Sequence, residues 1–192
     1  MKKYQIIYAD PPWSFKCFGK RNPNDNRVYR PSDYYKVMDI DDIKKLPIQD
    51  LADKNCILFI WAIDTMLPQA FEVIKAWGFT YKTVGFYWVK QNKDTSPFYG
   101  LGYWTRCNPE QCLLATKGKI SRISKSIEKL TFAPRLEHSK KPNLFRQKIV
   151  ELMGNLLRIE LFARQKIEGW DCIGNEINGK DIKQQLEEMI NE

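Results

Sequence analysis

Apolar and polar positions along this chain follow two rhythms, one of short continuous runs and one of helical spacing. Tyr4 to Ala9 (YQIIYA) is rich in strand-formers and predicts a first strand. A polar stretch rich in Pro and Asn follows from Asp10 to about Met38, too long for a plain connector. MDIDDIKKL predicts a short helix opened by acids, which suit a helix N-terminus. Cys56 to Ala62 (CILFIWA) is continuously apolar, the mark of a strand covered on both faces. In LPQAFEVIKAWG the period becomes helical: Leu67, Ala70, Phe71 and Ile74 share a face, with Pro68 in the first turn and Gly78 as stop. Phe79 to Lys90 and Gln111 to Thr116 predict two more strands, separated by an irregular, aromatic-rich loop. Residues 117–141 are polar and basic and read mostly as loop. PNLFRQKIVELMG is again helical, with Leu144, Phe145, Ile149 and Leu152 on one face between Pro142 and Gly154. Leu156 to Ala163 predicts the last strong strand and GWDCIGNE a turn with a short element. Lys180 to Glu192 predicts an amphipathic helix striped by Ile182, Leu186 and Ile190.

Strands alternating with helices predict an α/β fold, a mostly parallel sheet with helices on both faces. The 192 residues suit one domain that buries about 70% of its unfolded surface. Hydrophobic residues at 43% and aromatics at 13% supply ample core and exclude wholesale disorder. No apolar run approaches the about 20 residues of a membrane span, and no signal peptide is visible. A cytoplasmic protein is expected, with Cys17, Cys56, Cys107, Cys112 and Cys172 as reduced thiols. Cys107 and Cys112 lack a second Cys or His pair, so no metal site is expected. The net charge of +8 favours a polyanionic partner. The basic residues concentrate in loops, at Lys16, Lys20, Arg21, Arg27 and Arg30 and again from Lys117 to Lys129.

The first strand ends abruptly on DPPW, Asp10 to Trp13. An acid there cannot be buried unpaired without cost, and two prolines fix the path of the chain. Trp13 then offers a wide aromatic face for something flat. In open α/β sheets ligands sit outside the carboxyl ends of the strands. Asp10 leaves that end of the first strand and Arg164 that of the last, while Lys141 stands at the entrance to the helix before it. If those ends are neighbours, one pocket holds an acid, an aromatic plate and two cations. That set suits a flat base beside a cofactor carrying a carboxylate. There is no GxGxxG, and Gly100-Leu-Gly102 reads as a flexible turn.

DPPW, YKVMDIDDIKKLPI, ILFIWA, WGF, YWVKQN, GYWTRCNPEQCLLATKG, HSKKP, RIELFAR and GWDCIGNE occur in this order. Together they resemble the DPPW-type N6-adenine methyltransferases, the family containing the catalytic subunit of the mRNA adenosine methyltransferase, in its small stand-alone bacterial or phage form. The resemblance implies a Rossmann-like S-adenosylmethionine-dependent methyltransferase fold with permuted motif order, over a domain at 1–177 with a helical tail at 178–192. It implies S-adenosylmethionine as cofactor, with Lys141 and Arg164 at its carboxylate and ribose region, Phe162 beside its adenine, and Asn175 and Glu176 on ribose hydroxyls. Larger relatives supply adenine contacts from before the DPPW strand; here the C-terminal tail is expected to complete that pocket.

The resemblance also implies the chemistry. Asp10 and a proline carbonyl, Pro11 before Pro12, would accept hydrogen bonds from the exocyclic amine of adenine, and Trp13 would stack on the base. Tyr35 and Glu110 are expected at the target base or its loop, Glu110 alternatively as a structural ion-pair partner. Lys16, Lys20, Arg21 and Arg27, with Lys117, Lys119 and Arg122, would neutralise phosphates. The lone histidine, His138, is expected to order its loop, and Trp61, Trp77 and Trp88 to be core. The expected activity is methyl transfer to N6 of a flipped adenine in DNA, with RNA, or an inactive nucleic-acid-binding partner subunit, as alternatives. A homodimer is expected through residues 91–109, where Pro97, Phe98, Tyr99, Tyr103 and Trp104 are too apolar for water.

Overall fold

Runs of β-branched and aromatic residues form one sheet in the computed structural model, which describes residues 2–15, 36–100, 102, 104–136 and 140–191. Its seven strands among the described residues are β1 (Tyr4–Ala9), β2 (Ala52–Ala62), β3 (Thr80–Gln91), β4 (Pro109–Lys117), β5 (Leu130–Pro134), β6 (Arg158–Leu161) and β7 (Asp171–Ile173). They lie in the order β5-β3-β4-β2-β1-β6-β7. All run parallel except β4, which is antiparallel to both β2 and β3. The helices are α1 (Ile40–Lys45), α2 (Ile48–Leu51), α3 (Leu67–Ala76), α4 (Leu144–Met153), α5 (Asn175–Asn178) and α6 (Ile182–Asn191). The sheet is mostly parallel and covered on both faces, as the alternation of elements predicts.

Side-chain alternation in the central strands divides the core in two. Ile7 and Ala9 of β1, Leu58 and Ile60 of β2 and Ile159 and Leu161 of β6 point to the face covered by α1, α3 and α6. Ile6 and Tyr8, with Ile57, Phe59 and Trp61, point to the face covered by α4. Tyr4 joins Ile7 instead of Ile6 because the β1–β2 register slips between Tyr4 and Ile6. Trp61, Trp77 and Trp88 are buried, and each indole N–H finds an acceptor: the Tyr8 hydroxyl, the Ile43 carbonyl and the Ala133 carbonyl. Core tryptophans are tolerated on that condition.

Two expectations need correction and a third an addition. The buried stripe of α3 is Ala70, Val73 and Ile74, continued by Trp77, at i, i+3, i+4 and i+7. Phe71 lies beside that stripe, 40% exposed and edge-on to Tyr81 at 4.9 Å. In α4 the buried stripe is Phe145, Ile149 and Met153, with Leu152 only partly covered. Residues 117–141 are mostly loop among the described residues, as expected, but they also hold β5, which pairs with β3 as an edge strand. Only its Thr131 and Ala133 face inward, so its apolar signal is too weak for its sequence to announce it.

The α4 face buries a charge pair. Arg146 donates from Nε to Glu160 Oε2 at 2.6 Å and from Nη2 to Oε1 at 2.5 Å. Its guanidinium lies 5.5 Å from the centre of the Tyr8 ring. Only 11% of the Arg146 side chain and 7% of the Glu160 side chain reach solvent. Removing one partner strands the other charge in the core. We expect Glu160→Ala to cost about 3–5 kcal/mol, read as a drop in the urea midpoint. Replacing both, Arg146→Met with Glu160→Leu, should recover most of that loss.

Candidate active site

Strand direction gathers the chemistry on one rim. The parallel strands end there and β4, running the other way, begins there. Ala9 pairs with Leu161, and Leu161 with Ile173, so Asp10, Phe162 and Gly174 are the next residues out of three adjacent strands. Gly174 is required by space. A Cβ on it would lie 2.3 Å from the Ala163 carbonyl oxygen and 2.7 Å from the Ala163 nitrogen. Phe162 adopts a left-handed conformation with φ 61°, a strain of about 1–3 kcal/mol for a residue of this kind. The bond from Ala163 N–H to the Ile173 carbonyl, 2.9 Å, holds the chain in place immediately after it.

Asp10 opens a chain of alternating charges. Its Oδ2 accepts from Lys141 Nζ at 2.8 Å, and the same ammonium lies 3.2 Å from Glu110 Oε2. The other oxygen of Glu110 meets the ammonium of Lys90. Lys141 is 8% exposed and sits 5.2 Å from the centre of the Trp61 ring. Burial pushes the Asp10 carboxyl above its ordinary value, opposed by the Lys141 ammonium. Burial also works against ionising Glu110, but Lys141 and Lys90 outweigh it and hold that carboxyl down at about 2. For Lys141 itself burial disfavours the charge, and the two carboxylates more than offset it, raising its pKa above that of an ordinary lysine.

The DPPW backbone is fixed as its prolines predict. The Pro11 carbonyl accepts from Trp13 N–H at 2.8 Å and the Pro12 carbonyl from Met38 N–H at 2.9 Å. Each carbonyl oxygen retains a second lone pair. Trp13 corrects an expectation. Its ring is 4% exposed within the α1–α3 core, and its indole N–H donates to the Trp61 carbonyl at 2.9 Å. The aromatic plate faces inward, because the prolines turn the chain back towards Met38, with which Trp13 forms a bridge.

Beside Asp10 a cavity of about 760 Å³ opens between the strand ends and α1. Asp10, Pro11 and Pro12 form one end of its lining, Phe162, Ala163 and Arg164 the middle, and Asn175 and Glu176 the other end. Met38, Asp42, Lys45 and Leu46 line the α1 side, and Asp181, Ile182 and Lys183 close it from the first turn of α6. Arg164 Nε lies 3.6 Å from Glu176 Oε1.

The MT-A70 family profile matches residues 4–176. The chain belongs to the MT-A70 family. It is a methyltransferase with the Rossmann-like, S-adenosylmethionine-dependent fold of that family, as its motifs lead one to expect. It is 31% identical to the Type II methyltransferase M.MunI of Mycoplasma sp, over 95% of this chain and 81% of that protein. It is 25% identical to the human N(6)-adenosine-methyltransferase catalytic subunit METTL3, over 92% of this chain and 29% of that protein. It is also 30% identical to the N6-adenosine-methyltransferase non-catalytic subunit MTB of Arabidopsis thaliana, over 62% of this chain and 15% of that protein.

In this MT-A70 methyltransferase, Asp10, Phe162, Arg164, Asn175 and Glu176 meet around the cavity. Lys141 does not line it; it stands behind Asp10 and is held by two carboxylates. Glu110 takes the ion-pair role weighed against substrate contact. Tyr35, Lys16, Lys20, Arg21, Arg27, Arg30, Tyr103, His138 and Cys17 lie outside the described residues. Lys117, which leads into Lys119 and Arg122, lies away from this rim. Lys117 pairs with Cys56 near the start of β2, at the opposite edge of the sheet from Asp10. At about 3.4 Å per residue, the length of β4 puts Lys117 roughly 27 Å from the rim, away from a base held at Asp10. Composition gave no hint that β4 runs backwards. Tyr99 and Trp104 are 67% and 90% exposed. Among the described residues, no helix is long and apolar enough to cross a membrane.

Sequence reasoning missed Lys90, which lies in YWVKQN. Only the pairing of Trp88 with Glu110 and Val89 with Pro109 brings it to the rim. A depressed carboxyl stabilises the fold above its ordinary pKa, and that stability fades as pH falls towards the folded value. Replacing Glu110 by Gln should therefore lower the urea midpoint most above about pH 4.5, with the deficit shrinking towards pH 2. A pH-independent deficit would mean that the charge of Glu110 contributes nothing.

Proposed function

We propose that this chain transfers a methyl group from S-adenosylmethionine to N6 of adenine in DNA. The observation that carries the reading is the position of Asp10, an acceptor backed by a buried ammonium at the mouth of the rim cavity. The cavity suits the cofactor in size and in donor set. Arg164 offers a cation, Asn175 and Glu176 offer partners for hydroxyl groups, and Phe162 an apolar wall. When bound, S-adenosylmethionine supplies a methyl group on a positively charged sulfur.

The remaining work falls to the chain. An exocyclic adenine amine is a weak nucleophile because its lone pair is delocalised into the ring. Asp10 accepts a hydrogen bond from one N–H, and the spare lone pair of the Pro11 carbonyl accepts the other. Two acceptors out of the ring plane pull the nitrogen towards a tetrahedral shape and aim its lone pair. Alignment of this kind is worth about 7–11 kcal/mol at its upper range. Lys141 keeps Asp10 ionised and fixes its orientation, and Glu110 and Lys90 hold Lys141. The base must leave its stack to reach Asp10.

DNA is favoured by the likeness to the Type II methyltransferase, which spans most of both chains. RNA is the second reading, supported by the N(6)-adenosine-methyltransferases that match over 92% of this chain. A homodimer fits the exposed Tyr99 and Trp104 and the outward Leu130 and Phe132 of edge strand β5. Methylation of mixed DNA and RNA oligonucleotides, followed by mass spectrometry of the nucleosides, should yield N6-methyldeoxyadenosine. Methylated adenosine from RNA alone would move the reading to RNA, and no product with no cofactor binding would leave a partner subunit.

Asp10→Ala should abolish transfer while leaving the affinity for S-adenosylhomocysteine within about tenfold, because the main partner of Asp10 is the target amine, where the lost charge-assisted hydrogen bond is worth about 1.5–3 kcal/mol. Asp10→Asn should retain more activity, because an amide oxygen still accepts. The acid limb of the rate profile should lie above the ordinary aspartate value, because transfer needs ionised Asp10 and burial raises its pKa. Wild-type turnover by Asp10→Ala would end this mechanism.

A further inference from the structure

The rim cavity extends beyond the residues of the family match. That match ends at residue 176, yet Asp181, Ile182 and Lys183 of the first turn of α6 form part of the cavity wall. This helix is built into the core. Ile182 and Leu186 are 1% and 0% exposed, in the same cluster as Ile7 and Leu58. Side-chain bonds tie it to the end of β7. Ile182 N–H donates to Asn175 Oδ1 at 3.1 Å, and the buried Gln185 amide donates to the Gly174 carbonyl at 3.2 Å. Gly174 is itself pressed against Ala163 and Phe162. A continuous line of contacts thus runs from the middle of the cavity to α6.

We propose that the first turn of α6 forms the nucleoside end of the cofactor site, with Asp181 as a contact to the purine nucleoside, and that ligand binding and docking of α6 are coupled. The proposal rests on the cofactor reading above. Strand order decides which end of the ligand lies there. The methyl group has to reach Asp10 on β1, whereas the start of α6 is tied to Gly174 at the end of β7, two strands and about 10 Å further along the rim. The lining at that end also matches. Phe162 and Ile182 give apolar walls for a flat heterocycle. Glu176 and Asp181 can accept from hydroxyls and an exocyclic amine. Asp181, the residue before α6, accepts from Lys183 N–H through Oδ1 at 2.9 Å and has a second oxygen for a ligand. Asn175 gives its Oδ1 to Ile182 and keeps its amide donors.

The test is calorimetric titration of the full chain with S-adenosylhomocysteine, 5′-methylthioadenosine and methionine. Asp181→Ser keeps a capping oxygen at the start of α6 and removes the second carboxylate oxygen. It should weaken S-adenosylhomocysteine and 5′-methylthioadenosine alike, by about tenfold, which is 1.4 kcal/mol. The thermal midpoint of the unliganded protein should stay within a few degrees of wild type. By hydrogen exchange, the amides of residues 183–191 should gain protection when 5′-methylthioadenosine binds, and not with methionine. Unchanged affinities for Asp181→Ser, together with no gain of protection in α6, would overturn the proposal while leaving the cofactor reading intact. Failure of wild-type protein to bind S-adenosylhomocysteine would overturn both.

Discussion

A buried ammonium between two carboxylates is the interaction on which this site depends. Without Lys141, Asp10 and Glu110 would be two like charges in a poorly solvated rim, and one of them would take up a proton. With it, both stay ionised and Asp10 has one orientation. Isolated charges are expelled from such surroundings, so the set is kept only as a whole. Lys90 at the far end supplies the second cation that makes the four groups neutral overall.

That arrangement exists because of a single reversed strand. Were β4 parallel like its neighbours, Glu110 would sit at the opposite edge and the cations of residues 117–122 would lie on the rim. The central position of β4, between β2 and β3, places its first residues beside both Lys90 and the approach to α4. The α4 face holds a separate neutral pair, Arg146 with Glu160, one layer below the rim. The two charge clusters are joined by Tyr8 and Trp61, whose hydroxyl–indole bond lies between them.

Much of this was legible in the sequence, for reasons that differ by element. CILFIWA and the DPPW junction announce a strand buried on both faces and a rigid exit from it, because composition alone dictates both. The cavity set of Asp10, Phe162, Arg164, Asn175 and Glu176 came from motif resemblance, and strand adjacency then assembled it. Strand direction was illegible, since a short apolar run such as QCLLAT reads the same both ways; hence the unforeseen distance of Lys117 from the rim. The inward turn of Trp13 was hidden too, because aromatic character says nothing about which side of a proline turn a ring will occupy. Phe71 against Val73 shows the ordinary ambiguity of a helix face, where hydrophobicity points one way and packing geometry selects the neighbour.

The hairpin between β3 and β4 has a consequence for how such enzymes diversify. Both its ends, Gln91 and Pro109, are anchored on the rim that carries Asp10, and the connection between them spans residues 92–108. Lengthening an anchored loop is thermodynamically inexpensive, about 0.6 kcal/mol for each doubling. The sheet, the buried charges and the cavity need not change when that loop does. The hairpin can therefore change in length and sequence while the sheet and charges beneath it stand still, which separates the part of the chain free to explore from the part that must be inherited intact.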